Sequence, residues 1–111
     1  MDKLESYRNL IQKILEQYQQ LGASNSDVES VLLLDPIREH YLLLKMGWHQ
    51  DNRINRNVIH LRLKDGKIWI EEDRTEDGIA TDLLQAGVSR EDIVLAFHPP
   101  RLRQFTEFAT A

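Results

Sequence analysis

The stretch Val58-Ile59-His60-Leu61-Arg62-Leu63-Lys64, then Asp65-Gly66, then Lys67-Ile68-Trp69-Ile70-Glu71-Glu72 constrains the fold more than any other part of the chain. Two alternating runs separated by Asp-Gly favour a two-residue type I′ hairpin turn, because both central residues of that turn need positive φ. The turn sets the register. With Lys64 opposite Lys67, Leu63 meets Ile68, Arg62 meets Trp69, Leu61 meets Ile70 and His60 meets Glu71. Leu61, Leu63, Ile68 and Ile70 then form a core side. His60, Arg62, Trp69 and Glu71 form a second side, where a guanidinium-on-indole contact and an imidazolium–carboxylate pair are expected.

The elements around the hairpin follow from periodicity. Leu4, Tyr7, Ile11, Ile14, Tyr18 and Leu21 step by three and four, predicting a helix over residues 2 to 21 that Gly22 stops. Its apolar stripe suits packing on the chain's own sheet, and a pairing with a second chain stays open. After the polar connection 23–27, Val31-Leu32-Leu33-Leu34 before Asp35-Pro36 reads as a buried strand entering a turn. In the next run His40, Leu42, Leu44, Met46 and Trp48 share one parity and are assigned to the core, with Tyr41, Leu43, Lys45 and Gly47 opposite. His49 to Arg53 reads as a loop. Thr75 is the expected N-cap of a second helix with Ile79, Ala80, Leu83 and Leu84 on its apolar face, and Gly87-Val88 suits a Schellman ending. Ser89 and Asp92 suit a further helical turn, and Ile93 to Phe97 a short strand. His98-Pro99-Pro100 cannot continue a ladder, so Arg101 to Phe108 is a short terminal helix or tail presenting Leu102, Phe105 and Phe108. The reading is one α+β domain over residues 1–111: a largely antiparallel sheet with helices packed on one face.

Composition narrows the function classes. A chain of 111 residues suits one core that buries roughly two-thirds of its unfolded surface. The absence of cysteine excludes disulfides, thiolate zinc sites and cysteine nucleophiles. There is no apolar run long enough to span a membrane, and Met1-Asp2-Lys3-Leu4-Glu5 does not open like a signal peptide, so a cytoplasmic protein without membrane contact is expected. A net charge of −4 argues against gripping nucleic-acid phosphates over a broad surface, although a local basic patch stays open.

Chemistry-bearing patterns are sparse. Asp65-Gly66-Lys67, with Asp51 upstream, has the acidic-x-Lys spacing of metal-dependent nucleases, yet hairpin geometry accounts for it fully. His40, His49, His60 and His98 lie on separate segments without metal-ligand spacing, no glycine-rich phosphate loop occurs, and no serine sits in a nucleophile elbow. No cofactor, metal or catalytic residue is expected. Arg53, Arg56 and Arg62 near Trp48 and Trp69, with Arg101 and Arg103, suit protein contact better than nucleic acid at this charge. The acidic run Glu71 to Asp77 reads as solvated turn and helix start, with a basic partner as the other reading.

Several blocks carry a family resemblance. Arg38-Glu39-His40-Tyr41-Leu42-Leu43-Leu44-Lys45-Met46-Gly47-Trp48, Val58-Ile59-His60, Asp65-Gly66-Lys67-Ile68-Trp69-Ile70, Thr75-Glu76-Asp77-Gly78-Ile79-Ala80 and Glu91 to Pro100, in this order, closely resemble the XisI-like family, the fdxN element excision controlling factor proteins of cyanobacteria. The resemblance implies association with excision of a DNA element during heterocyst differentiation, beside a site-specific recombinase and an XisH-like protein. It implies control of excision and not recombination itself, and it transfers no catalytic residues. Three function classes follow as expectations: an accessory factor acting through protein contacts with an XisH-like partner, a direct DNA-binding factor, or a non-catalytic subunit of a nuclease complex. The sheet face opposite the helices, carrying Tyr41, Lys45, His60, Arg62, Trp69 and Glu71, is the candidate partner or homo-oligomer surface, because a large exposed aromatic there is poorly explained by solvation alone.

Overall fold

The computed structural model describes residues 2–21 and 27–111. Helix α1 (Lys3–Leu21) precedes a meander of four antiparallel strands, β1 (Val28–Asp35), β2 (His40–His49), β3 (Asn52–Lys64) and β4 (Lys67–Asp73). Helix α2 (Ile79–Gln85) and a 3₁₀ turn (Arg90–Asp92) then lead to β5 (Ile93–Leu95), which lies parallel to β4, as a crossover requires. A last single turn, α3 (Pro100–Arg103), begins on a proline, whose fixed φ suits the first helical positions. The sheet order is β1-β2-β3-β4-β5. The α+β class with a largely antiparallel sheet therefore holds. Gly22 and the connection at 23–26 lie outside the described residues.

The Asp-Gly hairpin forms as its sequence requires. Asp65 and Gly66 take φ of 54° and 76°, and Lys64–Lys67, Leu63–Ile68, Arg62–Trp69 and Leu61–Ile70 are paired. The register shifts one step further on: His60 pairs with Glu72, not Glu71, because β4 carries a bulge there. The core joins Ile59, Leu61, Leu63, Ile68 and Ile70 of the hairpin to Ile11, Ile14 and Leu15 of α1 and to Ile79 and Leu83 of α2. Polar bonds fix α1 above the sheet: Tyr7 Oη donates to Asp92 at 2.6 Å, Arg8 Nε to Glu39 at 2.7 Å, Tyr18 Oη to Asp82, and Gln19 to the Ser30 carbonyl at 3.1 Å.

Three local expectations are corrected. Thr75 is not the N-cap of α2. Asp73 takes that part from six residues upstream, accepting the Ile79 amide at 2.7 Å with one carboxylate oxygen and Thr75 with the other. His49 to Arg53 is not a loop: only Gln50 and Asp51 form the turn, and β3 starts at Asn52. The strand β1 is an edge strand and not a buried one, with Leu33 52% exposed. The Schellman ending is as expected, with the Val88 amide donating to Leu83 and that of Gly87 to Leu84.

Candidate functional site

The β1–β2 turn decides which side chains β2 shows to the core. Asp35 Oδ1 accepts the amides of Ile37 and Arg38 at 3.0 Å, the Glu39 amide returns to the Asp35 carbonyl, and Glu39 adopts a φ of 64°. The strand leaves this turn with Tyr41 and Leu43 turned inward, at 3% and 2% exposure. The expected parity of β2 is thus inverted. His40, Leu42, Leu44 and Met46 line the outer face instead, and Tyr41 and Lys45 leave the candidate surface for the helix side. Tyr41 is there for a packing reason: its ring joins the core beside Leu61, and its hydroxyl donates to Glu39 Oε1, the oxygen that Arg8 also reaches. A second bulge, at Val58, turns both Val58 and Ile59 inward and leaves Asn57 paired with Leu44 on the outer side.

The outer face has two halves. Over β4 and β5 it is closed by the chain's own carboxyl-terminal segment, tied down where the Ala109 amide donates to the Ile93 carbonyl and that of Ala96 to Ile70. Arg103 holds this segment in shape by donating to the carbonyls of His98, Ala96 and Thr110. Beneath it Val94 is fully buried and Trp69 is 8% exposed, so Trp69 is a packed residue and not an exposed docking anchor. Its indole nitrogen donates to the Lys64 carbonyl at 3.0 Å, and its ring lies 5.0 Å from Lys64 Nζ and 5.6 and 5.8 Å from the guanidiniums of Arg103 and Arg62. The expected guanidinium-on-indole contact is present. The expected His60–Glu71 pair is not: Glu71 lies 3.3 Å from Arg62 Nε, and His60 turns to His40, with Nε2 and Nδ1 3.0 Å apart.

The other half of the face, over β1, β2 and the start of β3, is bare among the described residues. Val31, Leu33, Leu42, Leu44 and Met46 point outward there, beside a shallow depression lined by Leu33, Asp35, His40 and Leu42. The two tryptophan–arginine clusters do not merge into one patch. Arg53 stacks on Trp48, 5.4 Å from the ring, at one end of the sheet, Arg62 and Arg103 flank Trp69 at the other, and Arg56 pairs with Lys45 on the helix side.

Sequence reasoning missed the His40–His60 pair, although the two residues lie in neighbouring rows of adjacent strands and only the parity of β2 kept them apart. Burial and the neighbouring His40 hold the His60 imidazole below its ordinary value. Like charge on the neighbouring ring opposes the protonated form of His60. Among the described residues no group of three histidine, aspartate or glutamate side chains converges as metal ligands.

The family model described as XisI protein matches residues 1–110. The chain belongs to the XisI family. A solved XisI-like protein from Anabaena variabilis superposes with a TM-score of 0.92 at 44% identity, over 97% of this chain and 99% of that one. The fdxN element excision controlling factor XisI from Anabaena variabilis superposes with a TM-score of 0.87 at 43% identity, over 99% of this chain and all of the other. No curated protein matches the chain. The fold is therefore shared over almost the full length of these proteins.

Proposed function

We propose that this XisI-family protein is a non-catalytic accessory factor that controls excision of a DNA element through protein contacts, with an XisH-like protein as partner. Its membership of the XisI family supports the excision context. The observation that carries protein contact as the means is the apolar surface of the carboxyl-terminal segment. Phe97, Leu102 and Phe105 are 48%, 37% and 79% exposed on a turn that Arg103 fastens from within, so an interface there would need little ordering on binding.

Four aspartates are engaged in holding the fold: Asp73 caps α2, Asp92 binds Tyr7 and Lys3, Asp82 binds Tyr18, and Asp35 builds the β1–β2 turn, while among the described residues no three acidic or histidine side chains converge as a metal site would need. This favours an accessory role over hydrolysis. The test is co-expression with the XisH-like protein of the same genome, followed by the mass of the purified assembly with and without DNA. A stable hetero-complex that Phe105→Ser disrupts is the expected result. No association under either condition, with both proteins folded, would overturn the reading. Binding of this chain alone to DNA, weakening steeply with salt, would replace it with direct DNA recognition.

A further inference from the structure

The bare half of the outer sheet face has an ordered charge pattern. Strand β1 contributes Glu29, Leu33 and Asp35 to it, while β3 contributes Arg53 and His60, with Arg62 at its border, where Glu71 lies 3.3 Å from Arg62 Nε. Between them β2 supplies a spine of Leu42, Leu44 and Met46. Reading across the strands, Asp35, His40 and Arg62 form one row and Leu33, Leu42 and His60 the next. Glu29 and Asp35 therefore stand on one flank of the spine and Arg53 and Arg62 on the other, Arg62 with Glu71 beside it.

We propose that this face binds a second copy of the chain, about a two-fold axis running along β2. Rotation about that axis lays β1 of each protomer over β3 of its partner and the spine over itself. Asp35 then meets Arg62, Leu33 meets His60, and Leu42 and Leu44 meet their own copies. An isologous interface demands that kind of self-complementarity, and here the sign of the charge changes across the axis. The two sheets pack in the aligned manner of a sandwich, with the bare half becoming a second core. The other half of the face already shows the result of such covering, since Val94 under the carboxyl-terminal segment is fully buried. The dimer leaves Phe97 and Phe105 to other contacts and does not depend on the excision partner.

The test is the mass of the purified full chain by light scattering, together with cross-linking. Wild type should have twice its 13.0 kDa chain mass at micromolar concentration. Leu44→Asp should weaken association by at least about tenfold while leaving the circular dichroism unchanged, as expected at the centre of an interface. Should Leu44→Asp not fold, Met46→Lys answers the same question from the neighbouring row. The chain has no cysteine, so single cysteines report the axis cleanly. Leu44→Cys should be captured as a covalent dimer by a bismaleimide spanning the about 10 Å between packed sheets. Gln12→Cys, exposed on α1, should not be. A 13.0 kDa wild type would overturn the proposal and leave the face to a different protein. A dimer that survives both substitutions, or that cross-links through Gln12→Cys in preference, would overturn it equally.

Discussion

The two halves of the outer sheet face obey the same alternation, yet one is dry core and the other is open surface. Around Trp69 and Val94 the face is closed by the chain after β5, while around Leu42 and Leu44 the strands carry comparable apolar side chains with no cover among the described residues. The strands do not decide the outcome. What decides it is where the residues after Pro99-Pro100 can reach, since two prolines end β5 and turn the chain back across β4. The sheet has two apolar faces, and the described residues of its own chain cover one and a half of them.

The largest loss of stability should come from Trp69→Ala. Truncating a buried indole should cost about 3–5 kcal/mol and lower the melting temperature by more than about 10 °C. Leu44→Ala, in the bare half, should change the melting of dilute protein by a small fraction of that. Equal losses in a calorimetric scan would mean that the two halves are packed alike. Gly47→Ala should come next, at about 3 kcal/mol, for a backbone reason. Gly47 has a φ of 149°, and a Cβ there would stand 1.9 Å from the Asp27 carbonyl oxygen, forcing β1 away from β2. A chemical denaturation midpoint unchanged in Gly47→Ala would show that β1 can move away from β2 at little cost. Arg103→Met keeps much of the side-chain volume but removes three bonds to carbonyls, and should cost about 2 kcal/mol. Faster amide exchange should be confined to the terminal segment and β5, and exchange spreading to β1 would contradict the division into halves.

How much of this was legible depended on the range of the information. The β3–β4 hairpin was readable to the residue because Asp65-Gly66 supplies both the turn and the register. Helix α1 was readable from its repeat. The parity of β2 was not, because Leu42, Leu43 and Leu44 are apolar on both sides and the choice is made by the Asp35–Glu39 turn, whose positive φ falls on a glutamate. Neither bulge left a glycine to mark it. The burial of Trp69 depends on a contact from Arg103, far along the chain, which no local pattern carries. Of the six candidate surface residues, His60, Arg62 and Glu71 remain on the outer face with access to solvent, Trp69 lies on it under cover, and Tyr41 and Lys45 belong to the helix side.

The smallest effect should come from the seam between the halves, where His60 meets His40. His60 is held below its ordinary value of 6.5 by burial first and by His40 second, with Arg62 acting in the same direction and Glu71 and Glu72 opposing. The unfolded chain takes up the proton more readily than the folded one. The stabilisation associated with the neutral ring is therefore fully present above about pH 6.5 and is lost as pH falls through the lower folded value. A shallow decline in melting temperature should set in below that point and be absent in His60→Asn. The Asp92 carboxylate produces a separate and more acidic loss. Burial alone would raise its value, but bonds from Lys3 and Tyr7 outweigh that and hold it below 3.8, so its contribution persists until the pH drops through that lower range. Two declines in different windows, only the upper one removed by His60→Asn, would locate the seam as the pH-sensitive line of the outer face. A single decline common to wild type and variant would place all of the acid sensitivity in the α1 contacts on the opposite side of the sheet.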